Sequence, residues 1–201
     1  MRQLESDGLN RAAAGNASVR TPAGLLITPT GVVPARLAPY RMVAMTLAGE
    51  VLAGEHQPSS EWRFHRDIYR ARPAVMAIVH VHSPYATALA CTRSEIPAFH
   101  YMVAVGGGDN IRCAPYATFG TQALSDYALA ALSERHACLL ANHGLIALGA
   151  DLDGARRLTL EIEELARQYL LALQTGRLVL LSPAEMTAAL EAFKTYGQPK
   201  E

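Results

Sequence analysis

Two histidines flank a single valine in the segment Ala77-Ile-Val-His-Val-His-Ser-Pro84. The apolar, β-branched run over 75–80 predicts a buried strand. Alternation along a strand sends His80 and His82 to the same side, with Cα atoms roughly 6.6 Å apart. Imidazoles at that spacing can converge on one ion. A third, His143, lies beside Gly144 in the apolar run 137–149. Together the three offer the neutral nitrogen set of a catalytic metal site with one position left open. Such a metal polarises a carbonyl or lowers the pKa of a bound water. The pair stands at the carboxyl end of its strand, where open α/β sheets keep their ligand sites. The plainer alternative is histidines hydrogen-bonded within a core.

A carboxylate and several small polar turns accompany them. Ser59 and Ser60 open a helix predicted over 59–70, with Trp62, Phe64, Ile68 and Tyr69 at its apolar positions. Paired serines at a helix start offer hydroxyls, free N–H groups and the positive end of the dipole to an anion. Glu61 falls in the first turn, where its ordinary role is dipole pairing. Gly15-Asn-Ala-Ser-Val-Arg20 and Gly24-Leu-Leu-Ile-Thr28 read as a hairpin, and Thr28-Pro-Thr-Gly31 as a tight turn after it. Small residues there let an anion approach the backbone. The combination points to a divalent metal beside a phosphate pocket, with an acid/base group between. His56, His65, His100 and His136 show no such convergence and read as surface or structural residues.

The remaining segments frame this set. Ser83 and Pro84 form the N-cap and first position of a helix over 84–92. A strand-like run follows over 96–105 and is broken by Gly106-Gly-Gly-Asp109, a turn lacking the lysine of a P-loop. A loop with two aromatics spans 113–120. An amphipathic helix over 121–134 carries Leu124, Tyr127, Ala128, Ala131 and Leu132 on one side. The run 137–149 reads as one buried strand, in which Gly144 permits close backbone approach or a bulge. The longest helix covers 151–175, with Leu158, Ile162, Leu165, Tyr169 and Leu170 on its apolar face and Gly176 ending it. Ser182-Pro-Ala-Glu185 is a capping box that opens a last helix.

The 201 residues suit one well-cored domain spanning 1–201. Net charge is zero, which gives no footprint for nucleic acid. No run approaches the roughly 18 apolar residues of a membrane span. The start, Met1-Arg-Gln-Leu-Glu-Ser-Asp7, has no apolar signal-peptide core, so a cytoplasmic protein is expected. Cys91, Cys113 and Cys138 are widely spaced and read as buried, reduced thiols. Only Lys194 and Lys200 are lysines, both near the end of the chain, which disfavours Schiff-base chemistry.

Several motifs in order resemble the class II aldolase/adducin family: Gly15-Asn-Ala-Ser18, Thr28-Pro-Thr-Gly31, Pro58-Ser-Ser-Glu-Trp-Arg-Phe-His65, His80-Val-His82, His100-Tyr-Met102, Ala114-Pro-Tyr-Ala-Thr-Phe-Gly120 and Asn142-His-Gly-Leu145. The likeness runs from about residue 8 to 197 and is greatest to the family's aldolases for L-fuculose 1-phosphate. It implies an α/β domain with a central, mainly antiparallel or mixed β-sheet flanked by helices. It also implies reversible cleavage of a ketose 1-phosphate to dihydroxyacetone phosphate and a small aldehyde such as L-lactaldehyde. By the same resemblance His80, His82, His143 and Glu61 hold Zn2+ or another divalent metal, and Glu61 is released by substrate to act as the base. Asn16, Thr30, Gly31, Ser59 and Ser60 match the phosphate pocket. Tyr101 matches a tyrosine supplied across the subunit boundary of a four-fold homotetramer. Phe119, Phe193 and Tyr196 match the aromatic wall at the aldehyde end.

The family's first phosphate loop usually has a threonine where Ala13 stands, and relatives have a fuller first helix before Gly8. On the same scaffold, related enzymes act as sugar-phosphate epimerases, decarboxylases or dehydratases. His100-Tyr-Met102 and Phe193-Lys-Thr-Tyr-Gly197 look closer to the aldolase pattern. A metal-free, adducin-like interaction module is disfavoured by the presence of all three histidines and Glu61.

Overall fold

The structure, a computed structural model, describes residues 1–195. A short helix α1 (Arg2–Ser6) precedes the hairpin β1 (Asn16–Thr21) and β2 (Gly24–Ile27). Strands β3 (Val43–Met45) and β4 (Val51–Ala53) extend the sheet beyond β2. Then come α2 (Trp62–Ala71), β5 (Ala77–Val81) and α3 (Pro84–Cys91). Strand β6 (Cys113–Ala114), α4 (Gln122–Ala131), β7 (Ala137–Leu140) and β8 (Gly144–Gly149) follow, and α5 (Leu152–Gln174) and α6 (Pro183–Phe193) complete the described chain. The eight strands form one sheet in the order β4-β3-β2-β1-β5-β8-β7-β6, antiparallel throughout except between β6 and β7.

The sheet is covered on both sides, so β5 and β8 are buried along almost their whole length and, His80 apart, are built of aliphatic residues and glycine. In β5 the alternation divides the core: Ala77, Val79 and Val81 face the layer containing α3, α5 and α6, while Ile78 faces α2 and α4. β8 does the same, with Leu145 and Ala147 on one face and Ile146 and Leu148 on the other. In α2, Phe64, Ile68 and Tyr69 recur at helical spacing and are all buried.

Antiparallel pairing decides where the polar residues meet. Asn16 lies opposite His80, and Val81 lies opposite Leu145, so the start of β1, the end of β5 and the β7–β8 turn share one end of the sheet. The rule for ligand sites in open parallel sheets names the right end of β5 for a reason that does not operate here.

Four expectations are corrected. The run 137–149 is a hairpin: the chain turns at Ala141, Asn142 and His143, with Asn142 in the left-handed region at φ 54°. His143 therefore sits in a turn and not on a strand. The run 96–105 is not a strand; Ile96 makes one bridge to Ile111, and Tyr101–Gly106 coils into a 3-10 helix. Here apolar content reflects packing under α5 and α6 and not strand alternation. Tyr127 of α4 is exposed, its place on the buried side taken by Ser125. Cys91 is exposed, so only Cys138 is a fully buried thiol.

Gly144 opens β8 directly against β5. A Cβ there would overlap the carbonyl oxygen of Val81 and press on the His82 and His80 rings. Since a backbone atom is the obstacle, Gly144→Ala should cost about 1–3 kcal/mol, the range for overpacking a tight interior. Urea unfolding of the metal-free protein measures this, and an unchanged midpoint contradicts it.

Candidate active site

Three imidazoles meet at the shared end of the sheet. Their ligating atoms lie within 4.8 Å of one another. The rings stand edge-on in pairs, with centroids 4.8–4.9 Å apart. His80 Nδ1 is 3.0 Å from the Leu145 carbonyl oxygen, which can only accept. Nδ1 therefore carries a proton, and Nε2 faces the other groups of the cluster. It is 3.1 Å from His82 Nε2 and 3.2 Å from Glu61 Oε2. Glu61 Oε1 is 3.2 Å from His143 Nε2, is buried, and has no hydrogen-bond partner.

Three imidazole nitrogens and a carboxylate thus converge on one point. Burial, with His80 as neighbour, lowers the pKa of His82 and of His143 to about 4, although Glu61 pulls each upward. Burial raises the Glu61 carboxyl, but His80, His143 and the Asn16 hydrogen bond outweigh it and hold the group below the usual carboxylate range. Three imidazole nitrogens and a carboxylate form a donor set that fits a divalent metal of the zinc type.

Each donor is fixed by a different element. His80 lies on β5 with no solvent exposure. The backbone N–H of His82 donates to Asn10 Oδ1 at 3.0 Å, tying the strand end to the segment before β1. Ser83 precedes α3 but does not cap it; its hydroxyl donates to Glu163 Oε2 at 2.6 Å. The Glu163 carboxylate accepts the free N–H groups of Tyr85 and Ala86, so α5 caps α3. The His143 turn is held by Asn142, whose Oδ1 accepts from Arg93 Nε at 3.0 Å.

Glu61 is not in the first turn of α2 but at its N-cap position. Its N–H donates to Ser59 Oγ at 3.3 Å, and its side chain turns away from the helix. Asn16 Nδ2 donates to Glu61 Oε2 at 2.9 Å.

A cavity of about 320 Å³ opens over these groups. Asn16, Thr30, Gly31, Ser59, Ser60, Glu61, His82, His143 and Phe119 all line it, with His80 beneath. Two loops are stitched together on its hydroxyl-rich side: Thr30 N–H donates to Gln57 O and Ser59 N–H to Thr28 O. Gly120 packs against the Ser60 carbonyl, and Arg63 Nη1 donates to Gly120 O at 2.7 Å, so the Phe119 loop is pinned beside Ser60. Tyr101 and Phe193 do not reach this cavity. They stack on one another with centroids 6.2 Å apart, and Tyr101 is 53% exposed. Tyr196 lies outside the described residues.

Sequence reasoning missed Tyr116, Ala117 and Asn142, which also line the cavity, and the buried His65. Asn142 carried a readable signal, since Asn directly before His-Gly in an apolar run marks a left-handed turn.

The fold and this site define a metal-type aldolase scaffold, and comparison with known proteins agrees. Residues 1–170 match the class II aldolase and adducin N-terminal domain family. The chain is 54% identical over 196 residues to the 5-methylthioribulose-1-phosphate/5-deoxyribulose-1-phosphate aldolase of Rhodospirillum rubrum, covering 98% of this chain and 88% of that one. It is 47% identical over 191 residues to the L-fuculose phosphate aldolase of Escherichia coli K12, covering 94% and 88%. A solved L-fuculose 1-phosphate aldolase superposes with a TM-score of 0.93 at 40% identity, over 96% of this chain and 92% of that one. The chain belongs to the class II aldolase and adducin family, and it is an aldolase, a carbon–carbon lyase, by that kinship. Among the described residues no helix is long and apolar enough to cross a membrane.

The donor set makes two measurable demands. His80→Ala should weaken binding of a divalent metal by more than the roughly 10–100-fold that loss of an outer partner costs. A metal takes the neutral form of imidazole, and burial lowers the pKa of His82 and of His143 to about 4. Proton competition at those two rings should therefore begin well below the pH 6.5 of a free imidazole. Chelator competition between pH 4 and 8 checks both points; affinity already collapsing near pH 6.5 contradicts the second.

Proposed function

We propose that this chain is a Zn2+-dependent class II aldolase, one catalytic domain over 1–201, that cleaves a ketose 1-phosphate to dihydroxyacetone phosphate and a small aldehyde. The observation that carries the reading is the cluster of three imidazoles and the Glu61 carboxylate at the floor of a cavity with a hydroxyl-lined wall. His80, His82, His143 and Glu61 are the metal-holding residues. Bound there, the metal supplies Lewis-acid polarisation of the ketose carbonyl.

The chain's own groups do the rest. Thr30, Gly31, Ser59 and Ser60, with Asn16 at their edge, receive the phosphate, and that remote contact orients the reacting carbons. In the condensing direction Glu61 removes a proton from the hydroxymethyl carbon of dihydroxyacetone phosphate, and in cleavage it returns it. Tyr101 of a neighbouring copy handles the proton on the aldehyde oxygen. Its exposure, away from its own cavity, supports a role in a homotetramer whose sites lie at subunit boundaries. Phe119 lines the aldehyde end of this cavity; Phe193, stacked on Tyr101, would join that aromatic wall from the neighbouring copy, and the family likeness assigns Tyr196 to it. A cytoplasmic setting fits a phosphorylated sugar substrate.

Two ketose classes fit this reading. L-fuculose 1-phosphate, releasing L-lactaldehyde, follows the motif likeness. The 54% identity to the Rhodospirillum rubrum enzyme favours 5-methylthioribulose or 5-deoxyribulose 1-phosphate as a second. All share the phosphate end and differ only in what Phe119 and its neighbours meet. The test is retro-aldol cleavage of the three ketose phosphates by zinc-loaded protein, with product read by a coupled reductase. EDTA treatment should abolish turnover, and Glu61→Gln should lower kcat by about 10²–10⁴-fold, the range for a general acid/base. Absence of dihydroxyacetone phosphate from all three substrates, with folded and metal-replete protein, would sink the proposal.

A further inference from the structure

Behind Glu61 lies a buried hydrogen-bond chain that neither metal nor phosphate binding explains. Asn16 Oδ1 is 2.5 Å from His65 Nε2. His65 Nδ1 is 2.7 Å from Ser18 Oγ, and Ser18 Oγ is 2.9 Å from the Tyr69 hydroxyl. Asn16, Ser18, His65 and Tyr69 are each at most 4% exposed.

Secondary-structure geometry builds this chain. Asn16 and Ser18 are two apart on β1, a rise of roughly 6.6 Å. Glu61, His65 and Tyr69 follow at four-residue steps along α2, each a rise of roughly 6 Å. The two spacings nearly match, so residues of helix and strand alternate along one line: Glu61, Asn16, His65, Ser18, Tyr69.

The Asn16 amide sets the direction of the bonds in that line: it presents Nδ2 to Glu61 Oε2 and therefore Oδ1 to His65. Oδ1 only accepts, so His65 must carry its proton on Nε2. Burial, reinforced by His80, lowers the His65 pKa to about 3 against the pull of Glu61, so the ring is neutral and Nδ1 is bare. Ser18 then donates to Nδ1 and accepts from Tyr69. A break anywhere frees the Asn16 amide to turn over and present its oxygen to the carboxylate.

We propose that His65 is a positioning residue, which, backed by Ser18 and Tyr69, locks the Asn16 amide and thereby seats one oxygen of Glu61 while leaving the other for the metal and substrate. The kinetic part rests on Glu61 being the proton-transfer group; the structural part does not.

The two parts are tested separately. Two-bond 1H–15N correlation of the wild-type imidazoles should show His65 as the neutral Nε2–H tautomer at pH 7. An Nδ1–H or charged ring overturns the proposal whatever the enzyme cleaves. His65→Phe should retain its zinc stoichiometry and KM within about threefold, while kcat falls by roughly 10–100-fold, as for other outer partners of a metal site. His65→Gln, whose amide N–H can face Asn16 Oδ1, should recover most of that kcat. Equal losses in the Phe and Gln variants, or an unchanged kcat in His65→Phe, overturn positioning. Should His65→Phe fail to fold, Ser18→Ala carries the test: a fall in kcat at constant KM supports the chain, and wild-type kcat overturns it.

Discussion

An ionised carboxylate buried against three imidazoles is the constraint on which the rest of the structure depends. Taking a carboxylate out of water costs several kcal/mol unless hydrogen bonds and opposite charge compensate. Asn16 supplies one donor to Oε2, while Oε1 has none. The nearest groups are imidazole nitrogens, and burial keeps two of those rings neutral. Imidazole nitrogens and a carboxylate crowded together satisfy one another poorly, and a shared cation would give each of them a bond. The cluster is thus a local weakness of the metal-free fold and a set of directed donors for a metal.

Such a weakness persists only inside a scaffold that holds it on every side. The sheet does so by concentrating polar residues at one end and filling both faces elsewhere with aliphatic side chains. Antiparallel register aligns the beginning of β1 with the end of β5. The β7–β8 turn then delivers His143 opposite His80, at a separation set by how closely β8 approaches β5. Only a residue without Cβ allows that approach at position 144. The Leu145 carbonyl of the same strand fixes the His80 proton. One short strand start therefore sets both the position of one candidate donor, His143, and the ring orientation of another, His80.

Much of this was legible in the sequence, and the failures have physical causes. The H-x-H pair was readable because strand alternation is strict, and the hairpin over 16–27 because its turn residues have few conformations. The capping box at Ser182 formed as read, with both reciprocal bonds present. The run 137–149 misled because a continuous apolar stretch in a two-sided sheet does not show where the chain reverses. His65 was set aside as structural because a lone histidine on an apolar helix is normally just that. Its role emerges only when the four-residue spacing to Glu61 and Tyr69 is placed against Asn16 and Ser18 on a strand that is 45 positions away from Glu61 in sequence.

Substrate discrimination has to come from the part of the cavity that this constraint does not reach. The described lining contains no lysine or arginine, so on the proposed reading a phosphate would be held by hydroxyls and N–H groups and by the charge of a bound metal. Those contacts would meet atoms common to every ketose 1-phosphate. What differs among the candidates is a methyl, a hydroxyl or a thioether at the far end, each worth about 1–3 kcal/mol in a pocket. Phe119 is 65% exposed and Tyr116 53%, so in a single chain that end is open to water. A wall this open cannot strongly reject any of these groups. On the proposed reading, the chemistry would therefore be set deep in the sheet by buried polar geometry, and selectivity would be left to exposed aromatics that a neighbouring copy could cover.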